Sequence, residues 1–188
     1  MEREFRHLEK EVAAFQQATG MSCLTGCGHC CRHPDVSATP LEFLPLAYRL
    51  YKTGQAETWY YRLSAETESL CPLFFPFLQA GDKGFCKGYE QRGMICRLFG
   101  FSAMSDKTGK PRLATCKPLK DERSQAVAAA EEYVAAGGPV PIMRDYYFRL
   151  MAIDPRLAER LIPIREAIRQ ALGVVLAYYA FRRPRKSG

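Results

Sequence analysis

Four cysteines fall within nine residues, at Cys23, Cys27, Cys30 and Cys31, in the run Cys-x3-Cys-x2-Cys-Cys. Four more follow at Cys71, Cys86, Cys96 and Cys116. Thiolates at short, fixed spacing suit a metal ion or an iron–sulfur cluster better than a packed core. Gly26 and Gly28 inside the run predict a loop over Met21–Pro34, because they let backbone amides approach the sulfurs. Cys30 adjoins Cys31, and neighbouring side chains diverge. Cys31 is therefore expected to serve another metal, another iron or a redox role, with further ligands drawn from the distant cysteines.

The alternative use of eight cysteines is as disulfides. A chain of 188 residues, 47% of them apolar, is long enough to bury a core without staples. A bridge between the adjacent Cys30 and Cys31 would be badly strained. The start, Met1-Glu-Arg-Glu-Phe-Arg-His7, has no apolar run of the secretory kind, and the chain contains no asparagine to glycosylate. A reducing, cytoplasmic location is expected, where clustered cysteines point to metal or redox chemistry.

The formal net charge is +7, and Arg182, Arg183, Arg185 and Lys186 near the C-terminus supply four of those units. The body is only mildly basic, and bound thiolates would lower its charge further. This argues against nucleic acid as a partner, and a charge run so short reads as a solvated end. The most apolar stretch, Ala171–Phe181, is too short for a membrane span, which needs about 20 residues.

The pattern predicts a mainly α fold with a small β-hairpin. A cysteine-rich metal-binding domain would pack against N- and C-terminal helices. Phe5, Leu8, Val12 and Phe15 recur at helical spacing over 2–17. Thr39-Pro40-Leu41-Glu42 is a helix start with a capping box, leading to a helix that ends near Lys52. A second helix is expected over Gln55–Ser69, then an irregular stretch rich in Phe, Pro and Gly. Leu98–Met104 and Pro111–Cys116 read as strands around Ser105–Lys110. Helices are expected over Asp121–Ala136, Pro141–Ile153 and Pro155–Phe181, with Pro163 kinking or restarting the last. The implied division is an N-terminal helix over 1–20, a cysteine-cluster domain over 21–118 and a helical extension with a basic tail over 119–188.

Arg32, Lys87, Arg97 and Lys117 each follow a cysteine directly, and nearby cations favour thiolates. His29 lies within the quartet and His33 just after it, and both are expected behind the ligands rather than among them. Tyr89, Glu90 and Arg92, between Cys86 and Cys96, could hydrogen-bond a cluster or bind an anion. Phe74, Phe75 and Phe77 read as hydrophobic cover.

Taken together, Cys23-x3-Cys27-x2-Cys30-Cys31, Cys71-Pro72-Leu73, Cys86-x2-Tyr89-Glu90-x-Arg92 and Cys96-Arg97-x-Phe99 resemble the YkgJ-type cysteine-cluster family over roughly residues 21–118. That family is described as zinc- or iron-chelating, with eight cysteines, and its members are widely labelled iron–sulfur proteins. The resemblance implies that Cys23, Cys27, Cys30, Cys31, Cys71, Cys86, Cys96 and Cys116 are all metal ligands, with Arg97 supporting them. The implied cofactor is an iron–sulfur cluster, 4Fe–4S, or iron, with zinc as the alternative. A longer relative is the flagellin lysine N-methylase. The chain departs from the family at Gly88, Gly93 and Gly100, where Ile, Pro and Pro are common.

Three functions follow as expectations. The first is a redox, sensing or catalytic protein built on iron or an iron–sulfur cluster. The second is a structural zinc module that docks a protein partner. The third is a methylase-like enzyme using S-adenosylmethionine. Against the third, the chain has no Gly-rich strand–turn–helix fingerprint. The Cys-x3-Cys-x2-Cys spacing matches radical S-adenosylmethionine enzymes, but the chain has too few strands for their barrel and carries the extra Cys31.

Overall fold

The first helix, α1 (Glu2–Thr19), forms where the apolar spacing places it and buries Phe5, Leu8 and Phe15. It stops at Gly20, whose left-handed φ of 71° lets its amide cap Gln16 O at 2.8 Å. These coordinates come from a computed structural model that describes residues 1–66, 70–77 and 83–182.

The chain then runs through α2 (His29–Arg32), β1 (Ser37–Ala38), a 3-10 turn (Pro40–Phe43), α3 (Leu44–Lys52) and α4 (Ala56–Ala65). Next come β2 (Phe74–Pro76), β3 (Gly84–Cys86), a second 3-10 turn (Tyr89–Gln91) and α5 (Met94–Leu98). The hairpin β4 (Ser102–Ser105) and β5 (Pro111–Ala114) follows. The remainder is α6 (Lys117–Glu122), α7 (Ser124–Ala135), α8 (Met143–Ile153), α9 (Pro155–Ala158), β6 (Ile162–Pro163) and α10 (Ile164–Ala180). The architecture is mainly α, with small two-stranded antiparallel sheets.

The expected hairpin is β4–β5, and Met104 pairs with Arg112. Its first strand starts later than Leu98, because Met94–Leu98 is helical. Pro163 does restart the last helix: it ends β6, which pairs with β1 through Ser37↔Pro163. The stretch expected to be irregular carries β2 and β3, with Phe74 opposite Cys86. The quartet is also more than a loop, since one helical turn, α2, holds Cys30 and Cys31. The expected helix over Gln55–Ser69 is seen to Ala65, and its last residues lie outside the described ones. So does the basic tail beyond Arg182.

Three apolar groups fill the interior. The first joins α3, α4 and α10 through Leu46, Leu50, Leu63, Ile168 and Leu172, and Cys71, Cys86 and Cys96 pack against it. The second joins α1, α5, α8 and α9 through Leu8, Leu98, Tyr146 and Leu150. The third joins the end of α1 to β4, α6 and α7 through Phe15, Ala103, Leu119 and Val127, with Cys116 against it. The downstream cysteines therefore sit at the edges of the first and third groups. Among the described residues, no helix is long and apolar enough to cross a membrane.

Candidate metal centre

Each thiol is placed by a different piece of local structure. Cys23 is exposed in the loop after α1. Cys27 pairs as an isolated antiparallel bridge with Lys83, and the Gly84 amide donates to Gly26 O at 2.9 Å. This ties the quartet to β3, which ends at Cys86. The Cys71 amide donates to Cys31 O at 2.9 Å and ties the quartet to the start of β2. Cys96 rides on α5 and Cys116 precedes the first turn of α6.

These tethers join the quartet to the segments that carry Cys71 and Cys86, and electrostatic contacts link Cys23, Cys96 and Cys116 to the same group. Cys30 acts electrostatically on Cys23, Cys31, Cys71, Cys86, Cys96 and Cys116. On one side Cys31 contacts both Cys30 and Cys71, and Cys71 in turn acts on Cys86 and Cys96. On the other side Cys27 acts on Cys23 and Cys116. A cavity of about 150 Å³ borders Cys30, Cys31 and Cys71, with Val36, Pro163 and Ile164 on its other walls.

Proton affinities follow these contacts. The Cys31 thiol, pressed against Cys30 and then Cys71, is held well above its ordinary range. The same contacts draw Cys30 down to about 7 and Cys71 below its ordinary value. Burial raises Cys23, Cys86 and Cys116, and raises Cys96 furthest above its ordinary value. Arg92 contributes positive charge that favours the thiolates of Cys30 and Cys86.

Besides Arg97, whose charge meets that of Cys96, space brings Arg92 to the thiols. Its guanidinium lies 3.7 Å from the Tyr89 ring centre and donates to Tyr89 O. Among the bases that follow cysteines, Lys87 lies over the Phe75 ring, 4.2 Å from its centre. Arg97 lies over Phe5 at 4.4 Å. Tyr89 is mostly exposed, and Glu90 enters the arrangement through its carbonyl. The His29 and His33 rings are 6.4 Å apart, and His33 accepts from the Asp35 amide. Phe75 and Phe77 are exposed and pack on Phe85, so they cover one another more than they cover the thiols.

Arg97 is 4% exposed and works as a clasp. It donates to Arg92 O at 3.1 Å and to Glu90 O, and pairs with Glu9 of α1. It therefore pins the segment between Cys86 and Cys96 onto α1. Arg97→Ala is expected to cost about 2–4 kcal/mol, since hydrogen bonds to charged groups contribute roughly 1.5–3 kcal/mol each and the half-exposed Glu9 can rehydrate. Urea denaturation would measure this. Arg97→Lys should recover little, because an ammonium cannot match the guanidinium fork.

Glu42 escaped sequence reasoning as part of the site, although its capping box was legible. It is fully buried and accepts from Thr39 N at 2.8 Å, Thr39 Oγ1 at 3.0 Å and Ile95 N at 3.0 Å. Burial raises its carboxyl above the ordinary range, and its charge reaches Cys96. The Tyr147 hydroxyl, buried without a hydrogen bond of normal geometry, is raised first by burial and then by Glu42. Gly93 explains one departure from the family. A Cβ there would stand 2.8 Å from Phe43 Cζ and 3.0 Å from Glu42 Oε2. Gly100 explains another, because its φ of 90° is closed to proline.

Eight soft donors suit zinc or iron in kind. Among the described residues, however, no group of three or more His, Cys, Asp or Glu side chains is arranged to hold a metal ion. Tetrahedral Zn–S bonds of about 2.3 Å require sulfurs roughly 3.8 Å apart. The thiols are neighbours that must still close up on a common point.

Comparison with known proteins addresses the same segment. The family model CxxCxxCC, "Putative zinc- or iron-chelating domain", matches residues 22–126. No curated protein and no solved structure matches the chain. The matched span is more than half of the 188 residues and contains every cysteine. With its eight thiols inside that span, the chain belongs to the CxxCxxCC family of zinc- or iron-chelating domains.

Proposed function

We propose that this protein holds iron, as an iron–sulfur cluster or as bound iron, through its eight cysteines and uses it in a redox, sensing or catalytic role. The observation that supports this reading is the direct contact of Cys31 with both Cys30 and Cys71, with Cys23, Cys86, Cys96 and Cys116 in electrostatic reach of Cys30. Cys31, Cys71, Cys86 and Cys96 would ligate on one side of it and Cys23, Cys27 and Cys116 on the other. One tetrahedral centre uses four ligands, so eight thiols suit a cluster or two centres better than one closed site. Arg92 would offset thiolate charge, and Arg97 with the Tyr89–Glu90 turn would hold the loop that presents Cys86 and Cys96. When bound, iron in such a site supplies electron transfer or a redox-sensitive signal. The cavity against Cys30, Cys31 and Cys71 favours a reactive centre, because a purely structural one needs no access.

Protein purified without oxygen is expected to be brown and to contain iron with acid-labile sulfide. Elemental analysis with visible and Mössbauer spectra would check this. Colourless protein with stoichiometric zinc after the same handling would replace this reading with the second one, a structural zinc module that binds a protein partner. The family description, which names zinc beside iron, keeps that reading in view. Its signature is loss of structure on chelation.

A further inference from the structure

We propose that Glu42 is the positioning residue of the thiol site, fixing where Cys96 sits relative to Cys71 and Cys86. The inference rests on the metal reading above and adds a residue that is not itself a ligand.

Glu42 lies 53 positions before Ile95 in the chain, yet its carboxylate joins the two segments directly. One oxygen, Oε1, takes both the amide and the hydroxyl of Thr39. The other, Oε2, takes the amide of Ile95 in the first turn of α5. Ile95 immediately precedes Cys96. A helix of five residues has little rigidity of its own, so a strong bond to its first turn decides where it points. The other end of the link is also anchored. Thr39 follows β1, which pairs with β6 and so fixes the 3-10 turn against the start of α10.

A fully buried carboxylate is costly unless all its lone pairs are used. For capping alone, Thr39 to Glu42 is a local device that also works at a solvent-exposed helix start. Here the second oxygen is turned inward and spent on the helix that carries a thiol. Gly93 keeps the space beside that oxygen clear. Tyr147 on α8 and Phe43 close the remaining sides. Nothing in this arrangement requires the carboxylate to change protonation, since its work is geometric.

The test uses the full chain loaded with Co(II), whose sulfur-to-cobalt charge-transfer absorption counts bound thiolates. Glu42→Gln replaces one acceptor oxygen by an NH2 group, which cannot satisfy both Thr39 and Ile95. Cys96→Ser removes the positioned thiol itself. Glu42→Gln is expected to lose the absorption of one thiolate, as Cys96→Ser does. In the Cys96→Ser background Glu42→Gln should cause no further loss. Full absorption in folded Glu42→Gln protein, or an equal further loss in the Cys96→Ser background, would overturn the proposal. If Glu42→Gln does not fold, Glu42→Asp keeps the charge but is one methylene shorter, so its carboxylate cannot hold both Thr39 and Ile95. It should lose the same single thiolate, and unchanged absorption would again overturn the proposal. Failure of the unaltered chain to take up Co(II) at all would instead count against the metal reading.

Discussion

Cys30→Ser is expected to strip metal from the whole site, whereas Cys116→Ser should affect one side only. Cys30 is the thiol whose charge reaches six of the other seven. Cys116 sits at the start of α6 against the third apolar group and answers mainly to Cys27 and Cys30. Its loss leaves Cys31, Cys71, Cys86 and Cys96 with their tethers intact. The affinity lost in Cys30→Ser should exceed the roughly 10–100-fold typical of residues that merely support ligands. Cys31→Ser is the informative companion. Cys31 contacts Cys30 and Cys71 on the same side. It should therefore lose the Cys71, Cys86 and Cys96 contribution and spare that of Cys23, Cys27 and Cys116. Metal content of the three variants, prepared anaerobically, would check this. Equal and complete loss in all three would mean that one indivisible centre spans all eight thiols.

The adjacency of Cys30 and Cys31 was the sequence detail that pointed to such a division. What could not be read was their placement on a helical turn, because four residues between Gly28 and His33 show no periodicity. The same limit hid β2 and β3. Three-residue strands give no alternation to detect, and Pro76 argues against a strand except at an edge. Helices with several turns of apolar spacing, α1 and α10 above all, were legible because the pattern repeats. Charge proximity was only partly legible. Sequence neighbours suggested that the bases directly after cysteines would serve the thiols. Arg97 does meet the charge of Cys96, and Arg92, four residues before Cys96, adds its charge toward Cys30 and Cys86. Glu42 was half legible. A capping box is a four-residue signal, but its bond to Ile95 depends on tertiary packing that no local motif encodes.

A chain ending at residue 163 is expected not to fold. The family match ends at residue 126, and the helices expected beyond it read as an extension to the cysteine segment. Packing gives α10 a larger part. It buries Ile164, Ala167, Ile168, Ala171, Leu172 and Val175 into the same apolar group as Leu46, Leu50 and Leu63. Burying one large aliphatic side chain contributes about 1.5–3 kcal/mol, so Ile164, Ile168, Leu172 and Val175 together supply roughly 6–12 kcal/mol. Whole domains are stable by only about 5–15 kcal/mol. Removing α10 would therefore consume most or all of the stability and expose the inner faces of α3 and α4. Cys71, Cys86 and Cys96 pack against this same group, so their spacing would go with it. Circular dichroism and urea denaturation of chains ending at 163 and at 182 would check this. The longer should show one cooperative transition, and the shorter should be aggregated or without one. If the chain ending at 163 unfolds cooperatively and still binds metal, the cysteine segment is an independent domain. In that case the contacts of α10 with α3 and α4 are a docking interface rather than a shared core.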